Sequence, residues 1–184
     1  MSEPQSVIAQ VIVERDDLLR YLDATPRQTG AWDDWHAAFA PEELEGLNAR
    51  LAMGSYRYHV RRILSASAST GRFCRYAESS RTFTFGTFFY SQDVEDFAYF
   101  FAVARGIATF LRAGRTGFAS ISKTLWSDET FALLEISSNR SKFLETRDGL
   151  YALRRRDAER ELSGLKLAYA VENPVPIDHL DAVR

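Results

Sequence analysis

The residues with the most chemistry to offer in this chain are one cysteine, three histidines and several paired acids. Cys74 stands between Phe73 and Arg75, and His59 lies in the run Tyr56-Arg57-Tyr58-His59-Val60-Arg61-Arg62. A cysteine attacks as its thiolate, so it needs a base and nearby positive charge. If 56–64 and 72–77 are neighbouring strands, His59, Arg61 and Tyr58 can meet Cys74 across the sheet. The ordinary reading of such a cysteine is a small buried apolar residue. No catalytic residue is therefore assigned, and His59 and Cys74 stand as the candidates for a site that no motif announces.

The acids cluster at Asp16-Asp17, Asp33-Asp34, Glu42-Glu43 with Glu45, and Asp93 with Glu95-Asp96. Two carboxylates hydrolyse glycosides only when held across a cleft. At the start of a helix they serve the helix dipole instead. Asp33, Asp34 and His36 could offer metal ligands, but on one helix they do not share a face. Structural zinc needs clustered Cys and His. No metal and no cofactor is expected. The phosphate loop G-x-x-x-x-G-K-[ST], the dinucleotide fingerprint G-x-G-x-x-G and the serine elbow G-x-S-x-G are all absent from the chain. Gly114 and Gly117 read as a helix C-cap and a turn.

Acids and rings together have another use. Interfaces seat aromatic anchors inside a charged rim. The partner-binding candidates are Asp33, Asp34, Trp35, Glu42, Glu43, Asp93, Glu95 and Asp96, with a basic protein as the partner. A toxin-neutralising immunity-type protein, acting by docking, is the concrete version. The alternatives are a small-ligand domain, a homodimer, or the scattered enzyme site near His59 and Cys74.

Composition narrows the classes. The chain has 184 residues, 46% hydrophobic and 26% charged, which fits one globular domain over 1–184. Its 23 basic residues are outweighed by 25 acidic ones, which speaks against a nucleic-acid partner. Arg57 with Arg61-Arg62, and Arg154-Arg155-Arg156, read as solvated or ion-paired faces. One cysteine cannot close an internal disulfide, so a reducing, cytoplasmic setting is expected. No secretory signal is read at 1–10. No run of 18 apolar residues exists, so no membrane partner is expected. The longest apolar run, Phe97 to Leu111, is interrupted by Arg105 and Gly106.

The elements that must position these residues follow from periodicity. Residues 7–23 read as mostly helix, with a strand over Val7–Val13 as the alternative. Ala31 to Phe39 has helical character, and Pro41 opens another helix carrying Leu44, Leu47 and Leu51. Tyr56 to Leu64 alternates and reads as a strand, as does Arg72 to Ala77. Arg81 to Tyr90 is the clearest strand, with Phe83, Phe85 and Phe89 on one face. Asp93 to Ala113 is the clearest helix, its apolar residues spaced three and four apart. A hairpin over 118–136, a short strand at 142–146 and a helix from Leu150 to Leu165 complete the chain, before an extended tail from Glu172. The parts are thus a helical 7–53, a sheet-and-helix body at 56–146, and a C-terminal helix and tail at 150–184. Strands and helices that do not alternate strictly predict an α+β fold, an antiparallel sheet of 4–6 strands with helices including a long central one.

Overall fold

Val7, Ala9 and Val11 alternate with Ile8 and Gln10, and Gln5–Ile12 forms strand β1 at the centre of a sheet. The computed structural model describes residues 5–66, 71–123, 130–171 and 177–178. The sheet adds β2 (Arg72–Ala77), β3 (Thr82–Thr87), β4 (Thr116–Lys123), β5 (Thr130–Ser137) and β6 (Arg140–Phe143). These six strands are antiparallel, and the two-residue β7 (Ile177–Asp178) pairs parallel to β2. The order is β6-β5-β4-β1-β3-β2-β7. The helices are α1 (Arg15–Asp23), α2 (Leu47–Leu51), α3 (Tyr56–Ala66), α4 (Val94–Arg105) and α5 (Tyr151–Val171). The fold is α+β, as its sequence predicts.

Layers lie on both sides of the sheet. One face, with Val7, Ala9, Val11, Cys74, Phe83 and Phe85, packs under α1 to α4 in the larger core. The other, with Ile8, Phe73, Phe118 and Leu133, packs under Ala158, Leu162 and Leu165 of α5. A central strand buried on both faces reads as a nearly continuous apolar run. That blurs its alternation, and it explains why 7–23, expected as mostly helix, is a strand followed by a nine-residue helix.

The expected strand at 56–64 is helix α3. Tyr56, His59, Val60, Ile63 and Leu64 are the buried residues, at three- and four-residue spacing. Tyr58, assigned to the same face as Tyr56 and Val60, is exposed. The expected helix at 31–39 is a pair of 3₁₀ turns at Thr29–Ala31 and Trp35–Ala37. The next is split into a 3₁₀ turn, Pro41–Leu44, and α2. Gly46 makes the break, with φ of +75°, a conformation glycine takes without the Cβ penalty.

The clearest strand stops at Thr87. Phe88 then joins the α5-side core, and Phe89, expected beside Phe83 and Phe85, is exposed. The central helix becomes 3₁₀ over Gly106–Phe110. Gly106 lies against Tyr56, where a Cβ would collide with the phenol ring. Every residue from Phe97 to Arg105 is buried. A helix apolar all round is an enclosed helix, and here the 3₁₀ turn at 41–44 and α2 cover the side away from the sheet. In the C-terminal third, β4 and β5 pair as the predicted hairpin, whose expected turn at 127–129 lies outside the described residues. Most of the tail from Glu172 lies outside them too.

Candidate functional site

The set built around Cys74 is not assembled. Because 56–66 is helical, His59 points into the helical layer and Tyr58 points out. The His59 ring contacts α4 and the end of α2. Its Nε2 lies 3.0 Å from the Leu51 carbonyl oxygen and its Nδ1 lies 2.6 Å from the Tyr99 hydroxyl. A carbonyl only accepts, so Nε2 carries the proton and Tyr99 donates to Nδ1. No lone pair remains to take a proton from a thiol. Burial pushes the His59 pKa down, and burial likewise pushes Tyr99 up to about 12, with Arg62 and Arg50 pulling it back. Cys74 is buried on the helix-side face of β2. His59 is a satisfied neutral core histidine.

Asp34 and Trp35, two expected partner contacts, turn inward to a residue that motif reasoning missed. Arg105 is fully buried at the end of α4. Its guanidinium lies 4.7 Å from the ring centroids of both Trp32 and Trp35 and 5.1 Å from that of Phe143. Its Nη2 donates to Asp34 Oδ1 at 2.5 Å and its Nε to Ser141 Oγ at 3.0 Å. Burial lowers the Arg105 pKa, and the hydrogen bond and charge of Asp34 oppose that. The second oxygen of Asp34 accepts from the Phe143 amide at 2.8 Å, which occupies a donor on edge strand β6. Trp35 is only 6% exposed and donates through Nε1 to the Thr29 carbonyl. It is a core residue, which corrects its expected role as an interface anchor. The signal available in the sequence was an arginine alone inside an otherwise apolar helix.

Glu43 and Asp96 also have internal work. Glu43 accepts from the Ala40 amide at 2.6 Å, tying the start of its 3₁₀ turn. Asp96 binds Arg50 Nη2 at 2.8 Å and accepts from Ser91 Oγ at 2.8 Å. The Arg50 guanidinium lies 4.3 Å from the centroid of the Tyr99 ring, so α2 and the start of α4 are held together.

Glu42, Asp93 and Glu95 differ. They are exposed, as is Glu45, and their side chains make no hydrogen bond or ion pair among the described residues. Asp93 occupies the N-cap position of α4 without a side-chain cap bond. Asp33 is exposed as well, next to the inward-turned Asp34.

Glu42, Asp93 and Glu95 follow or precede, in the chain, the two residues whose rings touch Phe131. The β4–β5 ladder shifts register between Ile121 and Ser122: Ile121 pairs with Ala132 and Ser122 with Thr130, leaving Phe131 as the extra residue of a bulge. A bulge re-aims its side chain. The Phe131 ring sits toward the helical layer, 5.4 Å from Phe97 and 6.4 Å from Phe39 between centroids, yet stays 50% exposed. Phe97 lies one helical turn after Asp93, and Phe39 shortly precedes Glu42, on a turn that packs against α4. Regular alternation would have put Phe131 on the α5 face with Leu133, so the sequence pattern gave no sign of this surface.

Among the described residues no three His, Cys, Asp or Glu side chains are placed to share a metal ion, and no helix is long and apolar enough to cross a membrane. Compared with known proteins, the chain matches no family model, no curated protein and no solved structure.

Proposed function

We propose that the chain is a non-enzymatic docking module that holds a basic protein partner against the surface centred on Phe131. The observation that supports this reading most is the bulge that presents a half-exposed phenylalanine against rings of segments that also carry acids with no partner among the described residues. An aromatic ring backed by other rings loses little conformational freedom when it is covered. Carboxylates with no internal partner attract a basic surface and speed its approach. An immunity-type protein that neutralises a toxin by covering it is one concrete form.

The test is affinity capture of tagged full-length chain in its source cells, with the recovered partner then purified and titrated. A stoichiometric partner with a basic face is expected. Phe131→Ser should weaken its Kd about 30-fold, the size of a 2 kcal/mol anchor. Glu42→Lys with Glu95→Lys should weaken binding and flatten its salt dependence, while Arg156→Gln on α5 should leave it unchanged. A partner that binds all three variants like the wild type would refute the Phe131 surface.

Self-association is a second reading, favoured by Leu153 and Leu167, which are 51% and 69% exposed on α5. They lie on the helix side opposite Ala158, Leu162 and Leu165. A light-scattering mass of twice 20.9 kDa supports it, and a monomer mass removes it.

A further inference from the structure

A cavity of about 540 Å³ opens on the α5 side of the sheet, between the β5–β6 hairpin and the turn leading into α5. Small-molecule sites occupy roughly 300–1,000 Å³. Glu135, Arg140 and Lys142 line it from the hairpin, and Asp148 lines it from the turn. Each acid is matched by a cation, Glu135 by Arg154 and Asp148 by Lys142, which leaves the charge of Arg140 over. Glu135 accepts from Arg154 Nη2 at 2.9 Å. Asp148 accepts from Lys142 Nζ at 3.0 Å and from the Glu145 amide at 2.7 Å. The Arg140 side chain has no ion pair or hydrogen bond among the described residues.

The start of α5 adjoins the cavity. Gly149 and Leu150 line the cavity immediately before Tyr151, the first residue of the 21-residue α5. A helix start carries partial positive charge, although here the Tyr151 amide donates to the Asp148 carbonyl and the Arg154 amide to that of Leu150. Leu144 and Leu150 supply apolar surface beside this charge, which suits a carbon frame better than a bare ion.

We propose that this cavity binds a small organic anion, carboxylate or phosphate in chemistry, with Arg140 as its charged anchor. The site is separate from the Phe131 surface and does not depend on the docking reading.

The experiment is a titration of ¹⁵N-labelled full-length chain followed by amide shifts, using citrate, glycerol 3-phosphate and inorganic phosphate in turn. Saturable shifts confined to about residues 135–153, for citrate or glycerol 3-phosphate, are expected at millimolar affinity or better. Which of the two binds more tightly assigns carboxylate or phosphate. Arg140→Gln should weaken binding about tenfold or more, the worth of a charge-assisted hydrogen bond, and Arg156→Gln should not. No saturable shift with either organic anion, inorganic phosphate binding as tightly as both, or unchanged affinity in Arg140→Gln would each overturn the proposal.

Discussion

Two regions of the helical layer are built from the same materials and behave in opposite ways. Around Arg105, three aromatic rings and a carboxylate enclose a cation with no exposure. Around Phe131, aromatic rings back a ring that stays half exposed, on segments that also carry carboxylates with no cation among the described residues. The first combination is closed to water, although Arg105 Nη1 is left without a hydrogen-bond partner among the described residues. The second is left open, and a partner can complete it. An acid in a sequence therefore carries no functional meaning until its neighbour is known. Asp34 and Glu95 are the same kind of residue on the page and different kinds in the fold.

The largest expected effect falls on the closed region. Asp34→Ala leaves the Arg105 charge buried and unpaired, which costs about 3–5 kcal/mol. Chemical denaturation should show a fall of that size, and a loss below 1 kcal/mol would mean that Asp34 does not hold Arg105. Replacing the pair together, Asp34→Leu with Arg105→Met, should cost less than Asp34→Ala alone, because no uncompensated charge remains.

A smaller effect follows from the other closed contact, His59 with Tyr99. Burial holds the folded His59 pKa below its unfolded value of about 6.5. The unfolded chain therefore binds this proton first. His59 contributes no penalty above pH 6.5, and stability falls as pH drops from about 6.5 through the folded pKa. Denaturation midpoints measured at successive pH values should show this slope. His59→Gln keeps a donor and an acceptor but cannot titrate, so it should remove the part of the slope that lies just below pH 6.5.

The open region should respond least in stability and most in binding. Phe131→Ser removes a half-exposed ring and should cost about 1 kcal/mol of folding stability, while partner affinity falls about 30-fold. Glu95→Gln should change stability by less than about 0.5 kcal/mol. If Phe131→Ser instead unfolds the chain, the ring is core and the contrast between the two regions disappears.

Residue patterns made much of this fold legible. Thr82 to Thr87 and the β4–β5 pair alternate as strands do, and Phe97 to Ala104 is spaced as a helix. Short segments with two compatible periods were not legible. Tyr56, Tyr58 and Val60 alternate, yet Tyr56, Val60 and Ile63 also share a helical face, and packing against α4 selected the second pattern. Glu42, Asp93 and Glu95 were named from sequence together with Asp34, Glu43 and Asp96, and nothing in the residue pattern separated the exposed acids from the engaged ones. Phe131 was not, because a bulge is a mismatch between two strands and neither strand contains it alone.

By itself the sequence determined an α+β class, the absence of the common nucleotide-binding and hydrolase motifs, and which segments carried acid and aromatic side chains. Those follow from residue type and local spacing. Tertiary structure alone decided which acids were consumed by Arg105, Arg50 and the Ala40 amide, and which were left facing water. It also decided that His59 is closed to chemistry and that Phe131 is open to contact. Each of these depends on groups far apart in the chain being brought within a few ångströms, where desolvation and hydrogen bonding set what a side chain can do.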